Sequence, residues 1–237
     1  MAIFWRLFLS HLLADFTLQF NIVNSLKRKS LYGMFIHCLT HFVVSVLFTW
    51  NELGSAWFSL GAVKVNGWLA LTLMFIFHFF IDEVRIYSMK HLGYRDGTVS
   101  FLVDQILHVY VLFMISPEFG LGYRFMMPEK WIGISAMLVI VSHVATVLVY
   151  FVEKDIYGVQ YPNFDVQYFL IFERLVLWAF FFVAGYWWVP FAAAWIFQMF
   201  YVRRKRLIDL SLLNIAFSVI LAVCCGLWSR YIYYGAL

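Results

Sequence analysis

The chain is a succession of apolar runs, most of them about as long as a helix needs to cross a lipid bilayer. A hydrocarbon core about 30 Å thick requires about 20 helical residues. We therefore predict an all-α fold: a polytopic transmembrane helical bundle of about seven to eight helices, forming a single integral membrane domain over residues 1–237. The predicted helices are residues 3–23, 31–50, 68–87, 99–115, 131–152, 166–188, 190–202 and 210–232.

The amino-acid composition excludes a soluble domain. Hydrophobic residues make up 64% of the 237 residues and charged residues 13%, whereas about 45–50% and about 25% are usual. So few charged side chains cannot cover a globule of this size in water. The first apolar run carries Arg6, His11 and Asp15 and lacks a small-residue cleavage site, so it does not match a cleaved signal peptide.

The short run over residues 190–202 is assessed by the distribution of Lys and Arg, which collect in cytoplasmic loops. If this run crosses the membrane, eleven basic residues lie on one side and five on the other; if it does not, the split is seven against nine. We therefore predict that it crosses and that both chain termini lie outside. Because the run is short for a crossing, a re-entrant or interfacial helix stays open as an alternative.

Four of the predicted helices carry pairs of His and Asp residues spaced four apart. A step of four residues leaves two side chains on one face of a helix, about one turn apart. A charged side chain near the bilayer centre costs about 2.5–3.5 kcal/mol on insertion scales, so buried pairs of this kind indicate a function. The pairs are His11 and Asp15, His37 and His41, His78 and Asp82, and Asp104 and His108.

Counting residues from the cytoplasmic ends places all four pairs in one layer, roughly 7 to 20 Å below that surface at a rise of 1.5 Å per residue. His41, His78 and His108 lie within about 1.5 Å of a common plane, so we expect them to meet if their helices adjoin. The residues predicted to support this layer are Gln19, Arg85, His143 and Glu173.

Imidazole and carboxylate side chains on facing helices are typical ligands of divalent metals. We predict a metal site formed by the eight paired residues, with zinc as the first expectation and iron or manganese as alternatives. Eight ligands exceed the need of one tetrahedral ion, so two ions are bound or some residues orient the others. Asp15, Asp82 and Asp104 are also the predicted catalytic residues, because a carboxylate that does not bind metal can take a proton from metal-bound water.

These residues favour an intramembrane metal-dependent hydrolase acting on a lipid or lipid-linked substrate. Three alternatives stay open: a divalent cation or proton transporter that uses the same layer, a structural or assembly membrane protein, and a purely structural network of His–Asp hydrogen bonds. The basic segments 27–29 and 203–206 are expected to orient the chain and contact anionic lipid, with no specific nucleic-acid partner. Arg85 and Arg174 can hold an anionic headgroup, although snorkelling to the interface is the commoner role. Oligomeric state is left open.

The strings SHLLADFTLQF, HCLTH, HFFID and DQILH follow one another in the first half of the chain. In this order they resemble the bacterial inner-membrane family called domain of unknown function 3307. The resemblance extends to about Val111 and implies a multi-pass protein of the bacterial inner (cytoplasmic) membrane, but no reaction. By looser analogy, the His/Asp helices are similar to those of membrane-bound metal-dependent hydrolases.

Overall fold

The computed structural model describes residues 1–19, 21–117, 127–205 and 211–235, without the side chains of residues 21–24 and 60. The described chain is mainly helical and divides into two compact units, unit 1 (Met1–Ile132) and unit 2 (Gly133–Leu237). The helices of unit 1 are α1 (Ala2–Leu12), α2 (Asn21–Lys29), α3 (Leu31–Thr49), α4 (Gly67–His91) and α5 (Thr98–Ile115), with α6 (Glu129–Val139) beginning before its boundary. The remaining helices are α7 (Ala145–Tyr157), α8 (Phe164–Phe180), α9 (Trp188–Arg204) and α10 (Leu212–Tyr234).

The helical fold class is confirmed, but two predicted helices differ from the structure. The predicted helix 166–188 is too long, because α8 ends at Phe180, and the predicted helix 3–23 is interrupted after Leu12. Each of the other predicted runs overlaps one helix or two consecutive helices. Four helical segments of the described chain are long and apolar enough to cross a membrane: Leu31–Glu52, Thr98–Ile115, Glu129–Tyr157 and Leu212–Tyr234. The single domain over residues 1–237 stays a prediction.

Large apolar side chains remain exposed on the outer faces of several helices. Leu47 on α3, Phe80 on α4 and Val99 on α5 are examples. A water-soluble monomer rarely exposes contiguous apolar surface on this scale. These faces are therefore suited to contact with lipid.

The first predicted helix is interrupted in the structure. After α1, the backbone forms a π turn over Leu13–Thr17, and α2 starts separately at Asn21. A π turn replaces the usual i→i+4 bonds by i→i+5 bonds and is frequent at functional sites. The polar, basic α2 is thus not a continuation of the apolar run but a separate short helix beside α3.

A close approach of backbones fixes α2 against α3. Ser30 caps α3 by accepting a hydrogen bond from the backbone N–H of Gly33. A Cβ atom at Gly33 would lie 2.3 Å from the carbonyl oxygen of Leu26, so only glycine allows this contact. The last turn of α2, which carries Lys27, is therefore held in a fixed position against α3.

Four helices of unit 1 form a closed ring, in which α1 and α4 each contact both α3 and α5. One end of the ring is filled by an apolar core that includes Leu7, Leu71 and Leu112. A hairpin of β1 (Ala56–Leu60) and β2 (Val63–Asn66) adds Trp57 and Val65 to this core. The other end of the ring contains the polar layer.

In unit 2, α8 packs against α10 and against a second π turn at Ile140–Val144. Arg174 of α8 is fully buried and donates hydrogen bonds to the carbonyl oxygens of Val141 (2.9 Å) and Ser142 (3.1 Å) within that turn. Since buried backbone carbonyls need partners, Arg174 stabilises the irregular turn.

Candidate metal centre

All four predicted pairs point into the ring of α1, α3, α4 and α5. The five imidazoles are almost completely buried, with exposed fractions of 1% to 3%. The ring centroids of His41 and His78 lie 3.9 Å apart, and those of His78 and His108 lie 4.1 Å apart. The three rings that were expected to share a plane are therefore in contact.

One group of four candidate ligands consists of Asp15, His37, His41 and His78. Asp15 Oδ1 lies 3.1 Å from His41 Nε2 and 3.2 Å from His37 Nε2. The Nε2 atoms of His37 and His78 are 3.2 Å apart. Ligands about 2.0–2.1 Å from a tetrahedral ion lie about 3.3 Å from one another. These three distances are close to that value, and all four ligand atoms lie within 4.8 Å of one another.

His37 is surrounded by more polar atoms than its ring nitrogen can bond. Within 3.3 Å of Nε2 lie Lys27 Nζ, Asp15 Oδ1, Asp82 Oδ2 and His78 Nε2. A ring nitrogen carries either one hydrogen or one lone pair. Both carboxylates have other donors, because Lys27 Nζ contacts Asp82 Oδ2 and His41 Nε2 contacts Asp15 Oδ1, so His37 Nε2 can accept from Lys27. Two carboxylates face one ammonium at this point, and a further cation would balance the remaining negative charge.

A second group of candidate ligands contains Cys38, His78 and Asp82. Asp82 Oδ2 lies 3.3 Å from the Nε2 atoms of both His78 and His37. Cys38 was not predicted as a ligand; its position three residues before His41 on the same helix was the available signal.

Lys27 is the one cationic side chain in the described part of the layer that contacts both Asp82 and His37. Its Nζ lies 2.7 Å from Asp82 Oδ2 and donates to His37 Nε2 at 3.1 Å. Burial by itself would lower the pKa of Lys27, but the charges of Asp82 and Asp15 outweigh it and raise that pKa. Lys27 is therefore a charged lysine whose ammonium neutralises part of the layer.

The third group contains Asp82, Asp104 and His108. His108 Nδ1 lies 2.8 Å from the backbone oxygen of Asp104. Because a carbonyl oxygen only accepts, Nδ1 carries the hydrogen and Nε2 of the neutral ring has the lone pair. Within the described residues, this Nε2 has no hydrogen-bond partner. His108 is thus oriented as metal-binding histidines are, with one nitrogen tied and the other free.

The rings of His11, His41, His78 and His108 line a cavity of about 10 Å³. A space of this size holds about one water-sized sphere. Met74, Val111 and Leu112 close it on the side of the apolar core. The cavity can hold one ion or one water molecule, and no larger ligand without movement of the side chains around it.

Gln105 connects the carboxylates of the layer, a role that its sequence position did not reveal. Its Nε2 donates to Asp15 Oδ2 at 3.2 Å and to Asp104 Oδ2 at 3.1 Å. Its Oε1 lies 3.3 Å from His11 Nε2 and accepts the ring hydrogen. Gln105 therefore holds α1 and α5 in register at the level of the layer.

The four predicted supporting residues lie in different parts of the structure. Arg85 lies at the layer, where it donates to Asp104 Oδ2 at 3.1 Å and to Asp96 Oδ1 at 3.0 Å. Gln19 follows the π turn, and no hydrogen bond from it to the layer is found among the described residues. His143 and Glu173 belong to unit 2, so their support of this site stays a prediction.

α2 is attached over the layer by polar contacts of Lys27, Arg28 and Lys90. Besides the Lys27–Asp82 pair, Arg28 donates to Asp96 Oδ2 at 3.1 Å, and Lys90 Nζ donates to the backbone oxygen of Arg28 at 2.7 Å. These contacts lie at the more exposed end of the layer, with Lys27 itself 12% exposed. Access to the candidate site from water thus depends on α2.

Comparison with known protein families identifies a match for the part of the chain that contains these residues. The family model DUF3307, described as a protein of unknown function, matches residues 3–132, more than half of the chain. The chain belongs to the DUF3307 family. No match is found among curated proteins or solved structures.

The DUF3307 match ends at Ile132, where unit 1 also ends. All four His/Asp pairs, and Lys27 and Gln105 with them, therefore lie in the part of the chain that defines DUF3307. The resemblance read from the motifs is confirmed for the DUF3307 family.

Proposed function

We propose that unit 1 holds a divalent metal centre, with zinc as the first candidate and iron or manganese as alternatives. The observation that carries the proposal is the convergence of four ligand atoms, from Asp15, His37, His41 and His78, which all lie within 4.8 Å of one another in the polar layer. A cation among them would balance carboxylate charge that Lys27, paired with Asp82, does not neutralise.

The residues that would hold the first ion are Asp15, His37, His41 and His78, whose ligand atoms all lie within 4.8 Å of one another. His108 offers its free Nε2 as a further ligand, either to this ion or to a second one in the cavity that it shares with His11. Gln105 and Arg85 orient the carboxylates from outside, as the partners of metal ligands commonly do.

The reaction that this centre supports best is hydrolysis. A divalent ion held by these residues would lower the pKa of a water bound to it toward about 7, and a carboxylate outside the ligand set would take the proton. Asp82 and Asp104 are the candidates for this base, and Asp15 is a third if it leaves the ligand set. Because the chain has membrane-spanning helices and exposed apolar faces, we propose a lipid or lipid-linked substrate with an ester, amide or phosphoester bond.

We place the protein in the bacterial inner membrane as a multi-pass protein of seven to eight crossings. Both termini lie outside and the polar layer lies in the cytoplasmic half. The positions of the basic residues support this orientation, because α2 with Lys27, Arg28 and Lys29 is on the cytoplasmic side in it.

Elemental analysis of the purified protein tests the proposal. Protein purified gently in a mild detergent should contain about one to two divalent ions per chain, since buried sites of this kind release metal slowly. The His91→Ala variant should keep the same metal content, because His91 lies at the end of α4 against Tyr87. Less than about a tenth of an ion per chain would contradict a resident metal.

A second candidate, transport of a divalent cation or protons, is favoured by a continuous chain of polar contacts. It runs from Asp96 through Arg85, Asp104 and Gln105 to Asp15, with each contact at 3.0–3.2 Å. Chains of ionisable and polar side chains commonly mark ion paths in membranes. Proteoliposomes separate the two functions: metal retained through washing without flux supports the enzyme, and rapid exchange with saturable uptake supports the transporter.

A further inference from the structure

Unit 2 contains a cavity of about 550 Å³. Its wall is formed by residues spread along α7, by the first three turns of α8, by the last turn of α9, by the start of α10 and by the segment between α7 and α8. The volume lies within the range of about 300–1,000 Å³ that is typical of small-molecule sites. The lining combines apolar side chains, such as Val149 and Leu170, with a few charged ones.

Arg174 lines this cavity and is completely buried. Its guanidinium donates to the carbonyl oxygens of Val141 and Ser142 and to the hydroxyl oxygens of Thr146 and Ser218. All four acceptors are neutral, and no carboxylate pairs with Arg174 in the described chain. A buried positive charge without an anion is costly, and an anion in the adjoining cavity would lower that cost.

Arg203 of α9 lines the same cavity. Its Nε is buried and has no hydrogen-bond partner among the described residues. The other charged side chain of the lining, Glu153, is engaged: it accepts from Ser211 Oγ and from Asn214 Nδ2, the latter at 2.7 Å. Among the described lining residues, two arginines and one carboxylate give a net charge of +1.

We propose that this cavity binds a phosphodiester group, with Arg174 and Arg203 as its cationic partners. A phosphodiester carries a single negative charge, which balances the net charge of the lining. Guanidinium groups form charge-assisted hydrogen bonds to phosphate oxygens. Four of the five N–H groups of Arg174 are engaged, so Arg174 supplies mainly its positive charge, whereas Arg203 also supplies the unengaged Nε. The apolar part of the wall accommodates the carbon chains attached to the phosphate. The source is either the headgroup of a glycerophospholipid or a soluble phosphodiester.

The test measures the ligand-dependent rise in melting temperature of the full chain, stripped of lipid in an uncharged detergent. Three ligands are added separately: short-chain phosphatidylglycerol, its deacylated product glycerophosphoglycerol, and inorganic phosphate. Binding of phosphatidylglycerol alone identifies a lipid site, and binding of both diesters identifies recognition of the headgroup itself. If neither diester stabilises the protein, or if inorganic phosphate stabilises it as well as they do, the proposal is wrong.

Arg203→Gln and Arg204→Gln form the matched pair of variants. Both residues lie in the last turn of α9, but Arg204 is exposed and does not line the cavity. We expect about a tenfold weaker binding for Arg203→Gln, because it removes a charge-assisted hydrogen bond, and unchanged binding for Arg204→Gln. Equal losses in the two variants would indicate only general attraction to a basic surface and would overturn the proposal.

Discussion

The ammonium of Lys27 lies 2.7 Å from the carboxylate of Asp82, inside the layer of histidines. It therefore occupies a position in which a metal ion would also be stabilised. Without a metal, Lys27 neutralises Asp82; with one, the ion and the lysine would compete for the lone pair of His37 Nε2, which Lys27 Nζ contacts at 3.1 Å. Replacing Lys27 should therefore change two quantities in opposite directions: the stability of the metal-free protein and the stabilisation of the protein by metal.

Replacing Lys27 by Met should lower the stability of the metal-free protein and increase its stabilisation by metal. Loss of the ammonium leaves a buried carboxylate unpaired, which costs about 3–5 kcal/mol. The same loss removes the competitor of the ion. Melting temperatures measured with a chelator and with added zinc give both quantities.

Lys29→Met is the control for Lys27→Met, since Lys29 is exposed in the same turn of α2. Lys29→Met should change neither the stability of the metal-free protein nor its stabilisation by zinc. Zinc stabilisation that stays the same or decreases in Lys27→Met would show that the lysine does not compete with a metal.

Replacing His41, His78 or His108 by Ala should remove metal and activity together. These rings are in contact with one another, and each offers a nitrogen to the centre. Elemental analysis should find less than about a tenth of the wild-type metal content for each variant, because zinc sites depend on a full set of ligands. His91→Ala should keep its metal. We expect His143→Ala to weaken binding only partially.

The structural alternatives predict a different result for these histidine variants. If the layer is only a hydrogen-bonded network, or the protein only an assembly factor, function should survive alanine at all four pairs. Growth or assembly measured in cells that depend on the protein would then be unaffected, provided that the variants accumulate in the membrane at normal levels.

Replacing Gln105 by Leu should weaken metal binding without abolishing it. Gln105 bridges Asp15 and Asp104 and accepts from His11, so it acts on the ligands rather than on the ion. Loss of such a partner typically costs about 10–100-fold in metal affinity. Titration with zinc against a competing chelator measures the change. Ile106→Ala, at the exposed neighbouring position, is the control, and an equal loss there would refute the orienting role.

Replacing Gly33 by Ala should displace α2. The new Cβ would meet the carbonyl oxygen of Leu26 at 2.3 Å, and overpacking of this kind costs about 1–3 kcal/mol. Because Lys27 lies on the displaced helix, its contact with Asp82 should loosen as well. The free energy of unfolding in detergent measures the cost.

Gly54→Ala is the matched substitution for Gly33→Ala, since nothing lies within 4 Å of a Cβ at Gly54. It should leave stability within about 0.5 kcal/mol of the wild type. If the two variants behave alike, the close approach of α2 to α3 does not determine the position of Lys27.

Helix positions and the convergence of the pairs were predictable from the sequence for physical reasons. A lipid environment requires apolar runs of a set length, so hydropathy locates the helices to within a few residues, as for α3 and α5. The spacing of four residues and the matched depth then bring His41, His78 and His108 together. These arguments depend only on helix geometry.

The π turn, the role of Lys27 and the hairpin were not predicted, because they depend on contacts that a hydropathy pattern does not reveal. Residues 13–23 continue the apolar run, so nothing in the composition predicts the π turn or the break before α2. Lys27 was interpreted as a topology signal because it lies in a basic segment. The hairpin after α3 was also missed, although its alternating residues and Gly61, with a φ of 61°, are typical of a tight turn between strands.

The π turn at Leu13–Thr17 has a consequence for how chains of this family can diverge. Its i→i+5 bonds mean that this stretch contains one residue more than a regular α-helical turn would need. Deleting Ala14 would restore a regular helix but rotate Asp15 away from His37 and His41. The number of residues between His11 and Lys27 is therefore as constrained as the ligands themselves. Insertions and deletions inherited by related chains should avoid this segment.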